Sequence, residues 1–301
     1  MNHKKILVNT LDKYEPGGIL LKNENKISYL REIEFINKEW LLSNKVVLST
    51  YFTGKLDPQN KITQKRDNYQ YFECWYKSIV SQKLQGIIFY DELSDGFISK
   101  YNNRHICFLK TKLGKYSLND ERFFIYYNFL KSVLGKLDYV LLTDISDVQF
   151  LRDPFNLINK NHKIYIGRDS YNKLKHSKWM MILMKRFEEY FGEQLPKDIY
   201  NKPLYNAGII GGGLREVLYT IENMCEVFLK LNTNSNNNMA VLNFVLYNCW
   251  CPYIQTNIFL SKKIRKTFNI YGNNENIITG FPLVTRFNKN EFTKGAYIKH
   301  K

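Results

Sequence analysis

At 301 residues and 44% hydrophobic content, the chain is long enough to bury the core of one large α/β domain or two small ones. Its 22 Tyr and 20 Phe, against 7 Pro and 16 Gly, exclude a disordered or low-complexity polymer. The 44 Lys and Arg exceed the 28 acidic residues to leave +16, a charge that attracts nucleic acid, an anionic membrane surface or a phosphorylated ligand.

In chain order, residues 28–42 carry Leu30, Ile33, Ile36 and Trp40 at helical spacing, which predicts a helix within an N-terminal extension over 1–43. From Lys45 the pattern changes. Strands are expected at 46–52, 86–90, 105–109 and 139–143, separated by helices at 69–82 and 117–134. Ser117 or Asn119 can cap the second of these helices, and acidic residues suit its first turn. Further on, the sequence predicts a strand at 163–167, a helix at 177–191 and a small-residue strand or turn at 204–213. Helices at 214–231 and 239–246 follow. No repeat or Pro/Gly/Ser linker divides residues 44–301, which read as a single α/β domain with a mainly parallel, Rossmann-like sheet flanked by helices.

The five cysteines, Cys74, Cys107, Cys225, Cys249 and Cys251, lack paired C-x-x-C spacing and fit reduced, mostly buried thiols. The N-terminus has no signal-peptide h-region, and no apolar run approaches ~18 residues, so a cytoplasmic chain without a transmembrane segment is expected.

Ligands bind parallel sheets beyond the carboxyl ends of the strands, where Thr50, Asp91 and Asp144 fall. The apolar run 139–143 delivers Asp144 and Asp147 into the loop at its carboxyl end. Such a pair can hold a hard divalent cation and leave positions open for phosphate oxygens; equally, it can cap the turn that follows.

The full string 141–155, Leu-Leu-Thr-Asp-Ile-Ser-Asp-Val-Gln-Phe-Leu-Arg-Asp-Pro-Phe, resembles the metal-binding segment of GT-A fold glycosyltransferases. Asn206, Ala207 and Gly208 resemble the Asn-Ala-Gly segment that lies against the donor sugar in that family, and Met239 to Asn243 resembles the helix that follows. The terminal His300 and Lys301 resemble the metal ligand and diphosphate contact of glycogenin-like members, although a solvated basic tail is an equal reading. The likeness implies a metal-dependent transferase moving a sugar from a UDP-linked or other nucleotide diphosphate donor to an acceptor hydroxyl on a glycan, lipid or protein. It implies Mn²⁺ or Mg²⁺ on Asp144, Asp147 and His300.

Two departures from the family pattern matter. Its usual metal motif is Asp-x-Asp, whereas here Ser146 stands at the third place; Asp147 is the expected ligand because a carboxylate outcompetes a hydroxyl for a divalent ion. Asn238 stands where an Asp is common, and an amide can orient a sugar hydroxyl but cannot act as a base.

Arg122 is read either as a partner for phosphate or a metal-loop carboxylate, or as an ordinary surface ion pair. Thr50, Tyr51 and Phe52 form either a base and ribose pocket, with Tyr51 stacking on uracil, or a buried strand end. Asp91 is grouped with them as a donor contact. Asp169 is a candidate acceptor contact or general base, against a solvated turn residue; an inverting enzyme would need such a base, whereas the glycogenin-like elements imply retention. Two rivals stand beside this reading. A nucleotidyltransferase should show a Gly-rich basic loop after the first strand, for which Thr53-Gly54-Lys55 is a poor substitute. A basic nucleic-acid-binding protein would account for the charge, yet the basic residues are scattered and no polynucleotide-reading motif accompanies them.

Overall fold

The computed structural model describes residues 33–35, 43–159, 163–169, 173–191, 197–250, 277–280, 282–286 and 295–300. Its centre is an eight-stranded sheet in the order β1-β4-β3-β2-β5-β8-β7-β9. Strands β2 (Lys45–Tyr51), β3 (Gly86–Tyr90), β4 (Ile106–Thr111) and β5 (Tyr139–Thr143) run parallel. Beyond them β8 (Tyr205–Gly213) pairs antiparallel with both β5 and β7 (Ile164–Arg168), and β9 (Ile277–Thr279) runs parallel to β7. From β2 the chain steps outward to β3 and β4, then returns to place β5 on the other side of β2. The order therefore reverses between β2 and β5, and the crevice beyond such a switch point is where open α/β sheets accept ligands.

Helices cover both faces. Val46 and Leu48 of β2 point into one apolar cluster and Val47 and Tyr51 into another, as the two-residue period of a strand requires. The first cluster is closed by α3 (Leu118–Ser132), α4 (Lys178–Phe191), α5 (Leu214–Leu231) and α6 (Asn238–Val245). The second is closed by α1 (Tyr69–Ser81) and α2 (Asp95–Tyr101). Trp75 of α1 is fully buried and lies so close to the sheet that a Cβ on Gly86 would sit 2.6 Å from its ring. Its indole N–H donates to Thr143 Oγ1 at 2.8 Å, and Ser49 Oγ donates to Thr143 O at 2.8 Å. Two elements thus pin the last residue of β5, immediately before Asp144.

The structure corrects one expectation and adds to others. Ile33–Phe35, expected within a helix, form β1, pairing antiparallel with Leu109 to Thr111. The outer edge of β4 presents unpaired backbone groups, and a short β-branched and aromatic segment satisfies them, which overrides local helical spacing. The rest of the expected helix lies outside the described residues. Not foreseen were α2, β9 and a three-stranded sheet of β10 (Val284–Arg286), β11 (Ile298–His300) and β6 (Val148–Phe150). Among the described residues Cys74, Cys107 and Cys225 are free thiols, and burial pushes that of Cys107 up to about 12. No described helix is long and apolar enough to cross a membrane.

Candidate metal centre

The centre forms where β5 ends. Asp144 N donates to Gly208 O at 2.9 Å, locking the start of the Asp144 turn to β8. The chain then turns through buried Ile145 and exposed Ser146, brings Asp147 back beside Asp144, and enters β6. β6 pairs antiparallel with β11 in a register that sets His300 opposite Val148 and Ile298 opposite Phe150. Because side chains alternate along a strand, Ile298 and His300 share a face, Ile298 joining the core and His300 standing over the acidic turn. Its Nε2 lies 3.8 Å from Asp144 Oδ2 and 3.9 Å from Asp147 Oδ1. Asp144, Asp147 and His300 each offer a ligand atom, all within 4.8 Å of one another.

Arg122, one turn into α3, is buried and forms an ion pair with Asp144 Oδ1, while its second terminal nitrogen donates to Ala207 O at 3.2 Å. Burial by itself would raise the Asp144 carboxyl, but Arg122 and His300 together hold it well below the usual carboxylate range. For His300 burial disfavours the charged imidazole, and Asp144 with Asp147 outweigh that to raise it. Asp144 therefore stands ionised, with its Oδ1 engaged by Arg122 and its Oδ2 turned toward His300.

The Asn206 to Gly208 segment is the hub of the site. Asn206 Oδ1 accepts from Gly208 N at 2.7 Å and its amide donates to Asp169 Oδ2 at 3.4 Å. Ala207 N points to Met239 Sδ at 3.3 Å, and Asn243 clamps the start of β8 by accepting from Tyr205 N and donating to Tyr205 O. At Gly208 an added Cβ would lie 2.5 Å from Asp144 Oδ2 and 2.7 Å from His300 Nε2. The space between two ligand atoms is thus open only because residue 208 lacks a side chain.

Two carboxylates and an imidazole, converging on one point, form a donor set that could hold a metal ion. Asp147 stands with Asp144 and His300 in this group. The hydroxyl of Ser146 instead meets Tyr71 of α1, a residue that no motif had marked. Burial raises the Tyr71 phenol, Asp144, Asp57 and Asp147 add to it, and the Ser146 hydrogen bond opposes it.

Other expected contacts fall elsewhere. Tyr51 is fully buried, its hydroxyl bonded to Lys65 O and Asn68 N and its ring 4.9 Å from that of Tyr71, so the structure leaves it no face for a uracil. Phe52 is likewise in the core, and Thr50 is half-buried at the strand end. Asp91 accepts from Thr53 N at 2.9 Å and Gly54 N at 2.7 Å, so it braces the loop after β2. Asp169 is half-buried beside Asn206. Asn238 is buried at the first turn of α6, and its Oδ1 accepts from Met239 N at 2.7 Å. Lys301 lies outside the described residues.

Sequence reading missed Asp120. Ser117 caps α3 by accepting from Asp120 N at 3.3 Å, and both Asp120 oxygens accept from Asn237 N at 3.1 Å. This carboxylate ties the start of α3, which carries Arg122, to the start of α6, which carries Asn238. Burial raises it to about 7, against the lowering effects of Asn237, Ser117 and Arg122. Because the folded value exceeds the unfolded value of about 4, the protonated form stabilises the fold. That contribution is full below pH ~4 and is lost as pH rises through about 7. Asp120→Asn should therefore gain on the wild type by about 2 kcal/mol between pH 5 and pH 8. Melting curves at both pH values test this, and a constant difference between the two proteins would contradict it.

Compared with known proteins, the chain matches no protein family and no curated protein.

Proposed function

We propose that the chain is a metal-dependent glycosyltransferase of the GT-A type, moving a sugar from a nucleotide diphosphate sugar, UDP-linked by resemblance, to an acceptor hydroxyl. The observation that carries this reading is the meeting of Asp144, Asp147 and His300 at the switch point of the sheet, against the side-chain-free Gly208. These residues would hold Mn²⁺ or Mg²⁺, which when bound supplies positive charge to a leaving diphosphate. Arg122 holds Asp144 ionised and fixed in orientation. On this reading the missing side chain at Gly208 would leave the ligand atoms accessible to the donor, and Asn206 and Asn238 would orient sugar hydroxyls. On this reading Asp169, hydrogen-bonded to Asn206, would orient the acceptor hydroxyl. Catalysis on this reading is chiefly positioning and charge stabilisation.

A ligand bound only by the native state raises its melting temperature. A thermal-shift panel of UDP-, GDP-, ADP- and CMP-linked sugars, with and without Mn²⁺, should therefore show at least one donor whose shift requires the metal. No metal-dependent shift with any of them would sink the proposal.

A further inference from the structure

Helix α4 is built for two surfaces. Met180, Leu183, Met184 and Phe187 are buried in the core, as one face of an amphipathic helix should be. A second side of the same helix, at spacings of three, four and four, carries Trp179, Ile182, Arg186 and Tyr190. Trp179 is 41% exposed, Ile182 56% and Tyr190 50%. These are three of the seven exposed large hydrophobics among the described residues, and all three lie on this one helix. Isolated exposed apolar residues are ordinary, whereas a stripe along a helix marks an interaction surface.

The surroundings of the stripe select the partner. Exposed Lys175, Lys178, Lys185 and Arg186 lie beside it, and the chain as a whole carries +16. Of the two acidic residues of α4, Glu188 is half-buried and accepts from the Tyr200 hydroxyl at 2.9 Å, leaving Glu189 exposed. Trp and Tyr with an aliphatic residue between them, flanked by long cationic side chains, is the composition of a helix that lies in a bilayer interface. At 14 residues α4 is too short to span a membrane and can only lie along one.

The first turn of α4 also borders the site. Ser177, Lys178, Trp179 and Met180 line a cavity of about 390 Å³ together with Asp169 and Met239. Asp169 bonds Asn206, and Met239 follows Asn238. Trp179 therefore belongs at once to the outer stripe and to the lining of the cavity.

We propose that the outer side of α4 docks the protein on an anionic lipid bilayer, with Trp179, Ile182 and Tyr190 in the interface and Lys178, Lys185 and Arg186 on the headgroups. Docked this way, the cavity that Trp179 lines would lie at the membrane surface, so the hydroxyl-bearing acceptor is one carried on a lipid. The docking does not rest on the transferase reading; only the identity of the acceptor does.

The full-length protein should co-sediment with phosphatidylcholine vesicles containing phosphatidylglycerol, not with phosphatidylcholine alone, and binding should weaken as salt rises. Ile182→Asp should reduce vesicle partitioning at least about tenfold, with an unchanged melting temperature. Ile62→Asp, at a position 53% exposed and remote in sequence, should bind vesicles as the wild type does. Absence of wild-type binding, or equal loss in both variants, would overturn the assignment. So would sedimentation analysis showing a dimer that Ile182→Asp dissociates, since the stripe would then be a contact between copies. A metal-dependent donor shift that persists in Ile182→Asp separates a failure of docking from a failure of the transferase reading.

Discussion

If the proposed transferase reading holds, Asp144→Asn should abolish the metal-dependent thermal shift and lower sugar transfer at least about a hundredfold, and it should also destabilise the protein with no metal present. The two effects have different origins. An amide is a poor ligand for a hard cation, so the first follows from the donor set. The second follows from Arg122, which is buried and has Asp144 as its ionic partner. Neutralising one member of such a pair leaves the other desolvated; allowing for the partial exposure of Asp144, the cost should be about 2 kcal/mol. In a chain of 301 residues that lowers the melting temperature by roughly 3 °C.

Asp147→Asn separates the two effects. Asp147 belongs to the same ligand group, whereas Arg122 forms its ion pair with Asp144. It should lose the metal-dependent shift while melting within about 2 °C of the wild type. Arg122→Met should do the reverse in part, destabilising the fold and loosening the orientation of Asp144. If Asp144→Asn keeps a full Mn²⁺-dependent shift, the ligand set is wrong; if Ser146→Ala loses it while Asp147→Asn does not, the register of the acidic turn is wrong.

Gly208→Ala, the addition of one methyl group, should be nearly as damaging. Its Cβ would fall 2.5 Å from Asp144 Oδ2 and 2.6 Å from His300 Cε1. Neither neighbour yields cheaply, because Asp144 is gripped by Arg122 and His300 is held in register by β6 and β10. Overpacking of this kind costs about 1–3 kcal/mol, and any relaxation must pull the ligand atoms apart. The expected result is a lower melting temperature together with loss of the metal-dependent shift. Gly96→Ala provides the control: its Cβ would meet nothing within 4 Å on helix α2, so it should leave metal response intact. It should stabilise the protein by up to about 1 kcal/mol. A Gly208→Ala protein with normal metal response would show that the Asp144–His300 gap is not the binding position.

The elements with strong periodicity were legible from residue order alone. An unbroken apolar run such as 139–143 must be buried on both faces, and the alternation of such runs with helical spacing dictates a parallel sheet. The acidic turn was legible for the same reason: two carboxylates after a buried strand have to emerge at its carboxyl end. The helix over 28–42 was misread at Ile33–Phe35 because three residues satisfy either period, and the free edge of β4, distant in sequence, decides between them. Tyr51 was legible as an aromatic strand end, but only the packing of α1 shows its ring enclosed by Tyr71 and Phe72.

Residue order by itself determined the fold class, the strand that carries Asp144 and Asp147, and a cap for α3 at Ser117 or Asn119, because each depends on periodicity or chemistry within a few neighbouring positions. The tertiary structure alone decided that Arg122 pairs with Asp144, that Asp120 joins the starts of α3 and α6, and that His300 reaches the acidic turn. Those contacts span 22, 117 and more than 150 positions, and such pairings are set by sheet order and strand register, which no local pattern encodes.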